Sequence, residues 1–238
     1  MSVEFIPAAH VRALTKRIEA ARQRAVDRLG VPPAQPDTRY WEELFEANAA
    51  EVLAAIPTVQ LATAFVVRYR SYGQQGRDLL VRPFVARAGT DVDTVRQLLD
   101  WHAAPDAVAS ALASAPTQDV ELLYRHFTFP RTAAGVFEYW LAMQELWASA
   151  RWAHSHLIAS ADELSQITAG EGWQVMHPVE AYEPAVVLAA DSARLAVLVQ
   201  CPIGRFEIAL HQIDVNADQS LSYGEPVIVA HGPKGYVI

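Results

Sequence analysis

The sequence predicts an α+β fold, with an N-terminal α-helical body followed by a small C-terminal antiparallel β-sheet. Three observations carry that expectation. From Ala8 onward, apolar residues recur at helical spacing in long runs punctuated by Pro and Gly. From Tyr182 to Ile238 the pattern changes to short blocks rich in Val, Ile, Leu or Phe, each bounded by Pro, Gly, Asp, Asn or Ser. Gly170 and Gly172 stand at the change, which divides the chain into a helical domain, 1–170, and an antiparallel β domain, 171–238. Helices segregated from an antiparallel sheet define the class.

The elements follow in order. Val11, Leu14, Ile18, Ala21, Ala25 and Leu29 form one apolar stripe, so Ala8 to Leu29 is an amphipathic helix with Gly30 as its C-cap. The prolines of VPPAQP end it and stiffen a linker. A second helix starts at Asp37 or Thr38, an N-cap, and runs through RYWEELFEANAAEVLAAI, burying Trp41, Leu44, Phe45 and Val52. LATAFVVRYRSY is read as a third helix, stopped by Gly73 and Gly76. RDLLVRPFVARAG is read as a helix kinked at Pro83. Short helices are expected at Asp91–Ala103, Pro105–Ala113 and Pro116–His126. Thr132 to Ile167 is the longest helical stretch, with a break near Ser155 or Ser160, and the strands follow.

Composition bounds the function. At 238 residues and 52% apolar, the chain can bury a sizeable core, and 19% charged residues argue against disorder. A formal net charge of −8 argues against nucleic acid, whose phosphates need clustered Lys and Arg. Cys201, the one cysteine, cannot form an internal disulfide. The N-terminal residues lack the apolar centre of a signal peptide, and no apolar run spans a bilayer. The expectation is a cytoplasmic protein without a membrane partner.

Several constellations invite a chemical reading. Asp214, Asn216, Asp218 and Glu225 have the spacing of a calcium loop, but Gln219 stands where the loop needs glycine and Pro226 follows the last ligand. A hairpin turning at NADQ accounts for the same residues. His154 and His156 point about 200° apart on a helix and do not converge. His177 and Glu180 flank Pro178 and could chelate, but no metal signature surrounds them. Cys201 has no readable base beside it, and GPKG lacks phosphate-loop spacing. Trp140, Trp147 and Trp152, with Phe137 and Leu141, form an aromatic stripe of the kind that fills a core. Arg68, Arg70, Arg77, Arg82 and Arg87 cluster and are read as a solvated face or a docking patch for an acidic partner. No catalytic residue and no metal ligand is assigned.

The segment Arg39-Tyr-Trp-Glu-Glu-Leu-Phe-Glu46 resembles the aromatic-Trp…Leu-Phe helix of the partner subunit of methanobactin biosynthesis, whose relatives work in 3-thiaglutamate-type peptide pathways. The order of parts, closing on Gly235-Tyr236, is similar too. The resemblance implies a non-catalytic subunit of a heterodimer with a TIM-barrel, multinuclear-iron oxygenase. The iron would sit in the partner, with no cofactor in this chain, and the sheet would bind the leader of a ribosomally made precursor peptide. A sheet with an open edge can take such a peptide as an added strand. The expected edge is Val186, Val187 and Leu188, or Leu195, Val197 and Val199. Two other classes fit the same residues. One is a small-molecule enzyme using the Trp-lined helical body with His126 or His154. The other is an acidic adaptor or immunity-type protein that binds another protein.

Overall fold

The computed structural model describes residues 2–30, 38–72, 80–90, 120–121, 123–148, 156–201 and 205–234. In chain order they form β1 (Val3–Phe5), α1 (Ala8–Leu29), α2 (Thr38–Ala55), β2 (Gln60–Leu61), β3 (Phe65–Tyr72) and β4 (Leu80–Arg87). Then come β5 (Val120–Glu121), a 3-10 turn (Leu123–His126), β6 (Phe127–Thr128), α3 (Ala133–Ala148), β7 (His156–Ile158) and α4 (Ala161–Thr168). The chain closes with β8 (Gln174–Val175), β9 (Ala185–Leu188), β10 (Ala193–Cys201), β11 (Arg205–Val215), β12 (Leu221–Tyr223) and β13 (Val227–Lys234). The expected layout is therefore corrected. Helices are interspersed with strands, and the principal sheet is large, with eight strands, one of them from the extreme N-terminal part of the chain. The chain divides into two compact units, one of residues 1–16, 130–141 and 152–238, the other of 17–129 and 142–151.

In the first unit the sheet runs β1-β9-β10-β11-β13-β8, with β7 also on β10 and β12 also on β11, and every pairing is antiparallel. The long strands β10 and β11 hold the middle and bury residues on both faces, Leu195, Val197 and Leu198 on β10 and Ile208, Ile213 and Val215 on β11. One face packs Ile158, Leu164, Leu198, Ile208, Val229 and Ala230 into a core joined by Trp173 and Tyr182. On the other face lie Leu195, Val197, Ile213 and Val215, all buried. Helix α4 begins at Ser160, whose hydroxyl accepts from Glu163 N, while Glu163 Oε2 accepts from Ala159 N at 2.7 Å. This satisfies amides that the first turn leaves bare. Tyr139 of α3 donates to Gln219 O at 2.7 Å, and Gln219 holds the left-handed φ of +70° in the β11–β12 turn.

In the second unit β3, β4 and β5 form one antiparallel sheet and β2 pairs with β6. The two segments read as helices, LATAFVVRYRSY and RDLLVRPFVARAG, supply β3 and β4 instead. In β3 the reason is alternation: Val67 and Tyr69 are buried while Arg68 between them is not, a period of two, whereas Pro83 to Ala86 of β4, paired with both β3 and β5, are all buried. Pro83 is tolerated because it stands opposite Tyr69. Facing antiparallel residues exchange both hydrogen bonds or neither, so a residue without an N–H must sit in a pair that exchanges none. The Tyr69 N–H accordingly turns outward, to Glu46 Oε1 of α2 at 3.4 Å. The Phe45 ring packs tilted against the Tyr69 ring with centroids 5.7 Å apart, and the Tyr69 hydroxyl donates to Leu146 O at 2.8 Å. The expected helices at Asp91–Ala103 and Pro105–Ala113 lie outside the described residues, and the described end of Pro116–His126 is strand β5 and the 3-10 turn.

Candidate functional site

The first unit carries a groove of about 350 Å³ on one face of its sheet. Its floor is Ala185, Ala196, Leu210 and Val227, contributed by four adjacent strands, with Leu198 and Val229 buried beneath the wall. The depression comes from side-chain size. Ala185 and Ala196 stand directly opposite each other across β9 and β10. The next row on the same face is Leu198, Leu210 and Val227, again facing one another across the strands. A pair of alanines beside a row of larger aliphatic side chains leaves a trough. No side chain of that row is long enough to fill it.

The segment 177–183 walls the trough. It is held to the sheet by Met176 N and His177 N, which donate to Val229 O at 2.8 and 3.2 Å. From it His177, Glu180, Tyr182 and Glu183 border the opening. Glu183 also accepts from Ala8 N, at 3.4 Å, at the start of α1. An anionic group there suits the bare amides and positive end of a helix N-terminus. The site is therefore apolar below and acidic at the rim. It can hold an aliphatic group and meet a positive charge beside it.

The six residues expected to bind peptide sit on β9 and β10, the strands that floor this groove, but neither strand is an edge. β9 pairs with β1 and β10, and β10 pairs with β11 on one side and with β9 then β7 on the other. Val186, Leu195 and Val197 are buried on the face opposite Ala196, with Leu188 and Val199 on that same face by alternation. Val187 is on the groove side. The expected open edge is corrected: the sheet ends instead on short strands, β1 with three residues and β8 with two. Short terminal strands are one way a sheet limits unwanted pairing.

The other candidates are placed as follows. Asp214 lies on β11 with its carboxylate held by Arg194, Nε to Oδ1 at 2.8 Å. Asn216 Nδ2 donates to Ser220 and Ser222 at 2.9 Å, and Asp218 Oδ1 accepts from Ser220 N at 3.0 Å. These residues make the hairpin between β11 and β12. His177 and Glu180, noted for their spacing, both border the groove. His126 stacks on Phe65 with ring centroids 3.8 Å apart, and Arg87 lies over the same ring. His154 and Trp152 lie outside the described residues. Trp140 is buried and Trp147 is partly exposed. Cys201 is half-buried at the end of β10. Arg68 pairs with Glu46 at 2.8 Å, which answers one member of the arginine cluster from within its own unit. Burial lowers the pKa of His211, which lies on the face opposite the groove. Among the described residues no group of three or more His, Cys, Asp or Glu is placed to hold a metal ion, and no helix is long and apolar enough to cross a membrane.

The alanine pair that makes the trough was not singled out in the sequence. The usable signal was Ala196 inside the run LAVLV, a small residue where its neighbours are large. Compared with protein-family models, with curated proteins and with solved structures, the chain matches none.

Proposed function

We propose that this chain is a cytoplasmic, non-catalytic partner subunit that binds an extended peptide segment in the sheet groove. The peptide is the leader of a ribosomally made precursor, and the chain supports a multinuclear-iron oxygenase whose metal is ligated by the other subunit. The observation that carries the reading is the trough over the Ala185–Ala196 pair, walled on one side by 177–183. Peptide recognition needs pockets for side chains along a line, and a row of aliphatic residues beside a small-residue dip supplies them. The resemblance of the RYWEELFE segment is the other ground for the reading.

The peptide lies across the sheet face rather than extending an edge, since β9 and β10 are internal. The test is co-expression of the tagged chain with its neighbouring genes, followed by intact-complex mass spectrometry and iron analysis. A stoichiometric iron-containing protein with a short peptide retained is the expected result. A chain recovered alone and monomeric contradicts the reading.

A further inference from the structure

We infer that the groove selects a peptide segment in which a Lys or Arg adjoins aliphatic residues. This rests on the reading of the groove as a peptide site. Charge complementarity makes the selection. Two carboxylates, Glu180 and Glu183, border the opening, and among the residues that line the groove His177 is the one basic group. Arg194 shares the face of Ala196, two residues before it on β10. Its guanidinium is already matched by Asp214 through contacts at 2.8 and 3.3 Å. Glu180 is exposed and has no ion pair among the described residues. Glu183 is answered by Ala8 N at the start of α1, so the rim is left with the uncompensated charge of Glu180 beside an apolar floor.

An elongated occupant fits better than a compact one. The apolar floor does not end at the trough. Val227 is 46% exposed, and Met176, which precedes the wall residue His177 and donates to Val229 O, is 45% exposed. Val227, a floor residue, carries the aliphatic surface to the opening, where a further residue of the same occupant can cover it. An acidic or uncharged segment would set its own groups against the Glu180 carboxylate without gain, and like charges repel.

Isothermal titration of the full chain with two end-blocked 12-residue peptides tests this. Both carry the same alternating Ile and Val, one with Lys and the other with Glu at the intervening positions. The Lys peptide is expected to bind at least about ten-fold more tightly, with the advantage shrinking as salt is raised. Glu180→Gln, an exposed and isosteric change, should weaken the Lys peptide about three-fold, as a rim charge pair does, and by lifting the repulsion should let the Glu peptide bind more tightly. Equal affinity for both peptides overturns the charge selection while leaving the groove reading intact, provided Ala196→Trp abolishes both. Binding of neither peptide, or tighter binding of hexylammonium than of the Lys peptide, also overturns the inference. If Ala196→Trp changes nothing for any ligand, the groove reading falls with it.

Discussion

Arg22→Ala will destabilise the folded chain by about 3–5 kcal/mol, the usual cost of leaving one member of a buried ion pair alone. Arg22 reaches from α1 to Glu145 of α3, with Nε 2.9 Å from Oε2 and Nη2 touching both carboxylate oxygens. The Glu145 side chain is only 9% exposed. Burial raises its pKa above 4.5, and the charge and hydrogen bonds of Arg22 act the other way without cancelling it. Removing Arg22 leaves the burial effect unopposed, so the raise grows. A carboxyl whose folded pKa is raised contributes stability that is complete below its unfolded value and is lost as pH rises through its folded value. The gap between wild type and Arg22→Ala should therefore be widest at neutral pH and narrow as pH falls toward 4.5. Urea melts at pH 5 and pH 7 measure it. A paired Arg22→Met, Glu145→Leu variant should recover most of the loss, because removing both charges leaves nothing to solvate. A gap that widens in acid, or a double variant no better than the single, contradicts this account.

Gly135→Ala will cost a net of about 2–3 kcal/mol even though alanine is the better helix former by about 1 kcal/mol. Gly135 lies in the first turn of α3, and its N–H donates to the Thr132 hydroxyl at 3.1 Å. A Cβ built there would collide with the Pro130 carbonyl oxygen and stand 3.0 Å from its carbon. Those atoms are main chain, so they cannot swing aside as a long side-chain tip can. Relief requires moving the 130–135 turn, which carries Ala133 and Val136 into the core. Thermal unfolding of the variant, compared with Gly30→Ala as a control for positive-φ strain in open space, separates the two causes. A melting temperature for Gly135→Ala at or above wild type would falsify the steric argument.

The parts of the fold that were legible are those whose signal is local. The α1 stripe is complete in one continuous segment, and Val11, Leu14, Ile18, Ala21 and Ala25 are all buried as spaced. The strands of the last third announce themselves by aliphatic blocks between turn residues, and β9, β10, β11 and β13 all fall within them. The sequence reads β3 as a helix because eight residues of Phe, Val, Tyr, Arg and Ser are apolar enough for one unless the alternation at Val67, Arg68 and Tyr69 decides the period. Pro83 argues for a kink in the sequence, although a buried strand position whose facing pair exchanges no hydrogen bonds accommodates it equally well. β1 and β7, three residues each, carry no periodicity to read. β1 pairs with β9 more than 170 residues away, and only the folded chain brings them together. The Ser160-Ala-Asp-Glu163 capping box was a local signal that would have fixed the start of α4.

The candidate site was legible in pieces. Spacing marks His177 and Glu180 around Pro178, and the aliphatic blocks mark the residues of β9 and β10. What joins them is register. Ala185 faces Ala196, and Leu198 faces Leu210, because of how far each strand slides along its neighbour. A shift of one residue would turn these side chains to the other face, and nothing within either strand fixes that shift alone. The same dependence explains why the large aliphatic residues were favoured over the alanines: size marks burial in a sequence, while a groove is made by its absence.

The most direct measurement of the central claim is peptide retention by Ala196→Trp, co-expressed with the neighbouring genes beside the wild type. Indole at this position fills the trough between Leu198 and the 177–183 wall without adding charge. The account predicts that wild type keeps its peptide and that Ala196→Trp loses it, with circular dichroism and association with the iron-containing subunit unchanged. Equal retention of the peptide by both forms would contradict it and move the binding site off this face of the sheet.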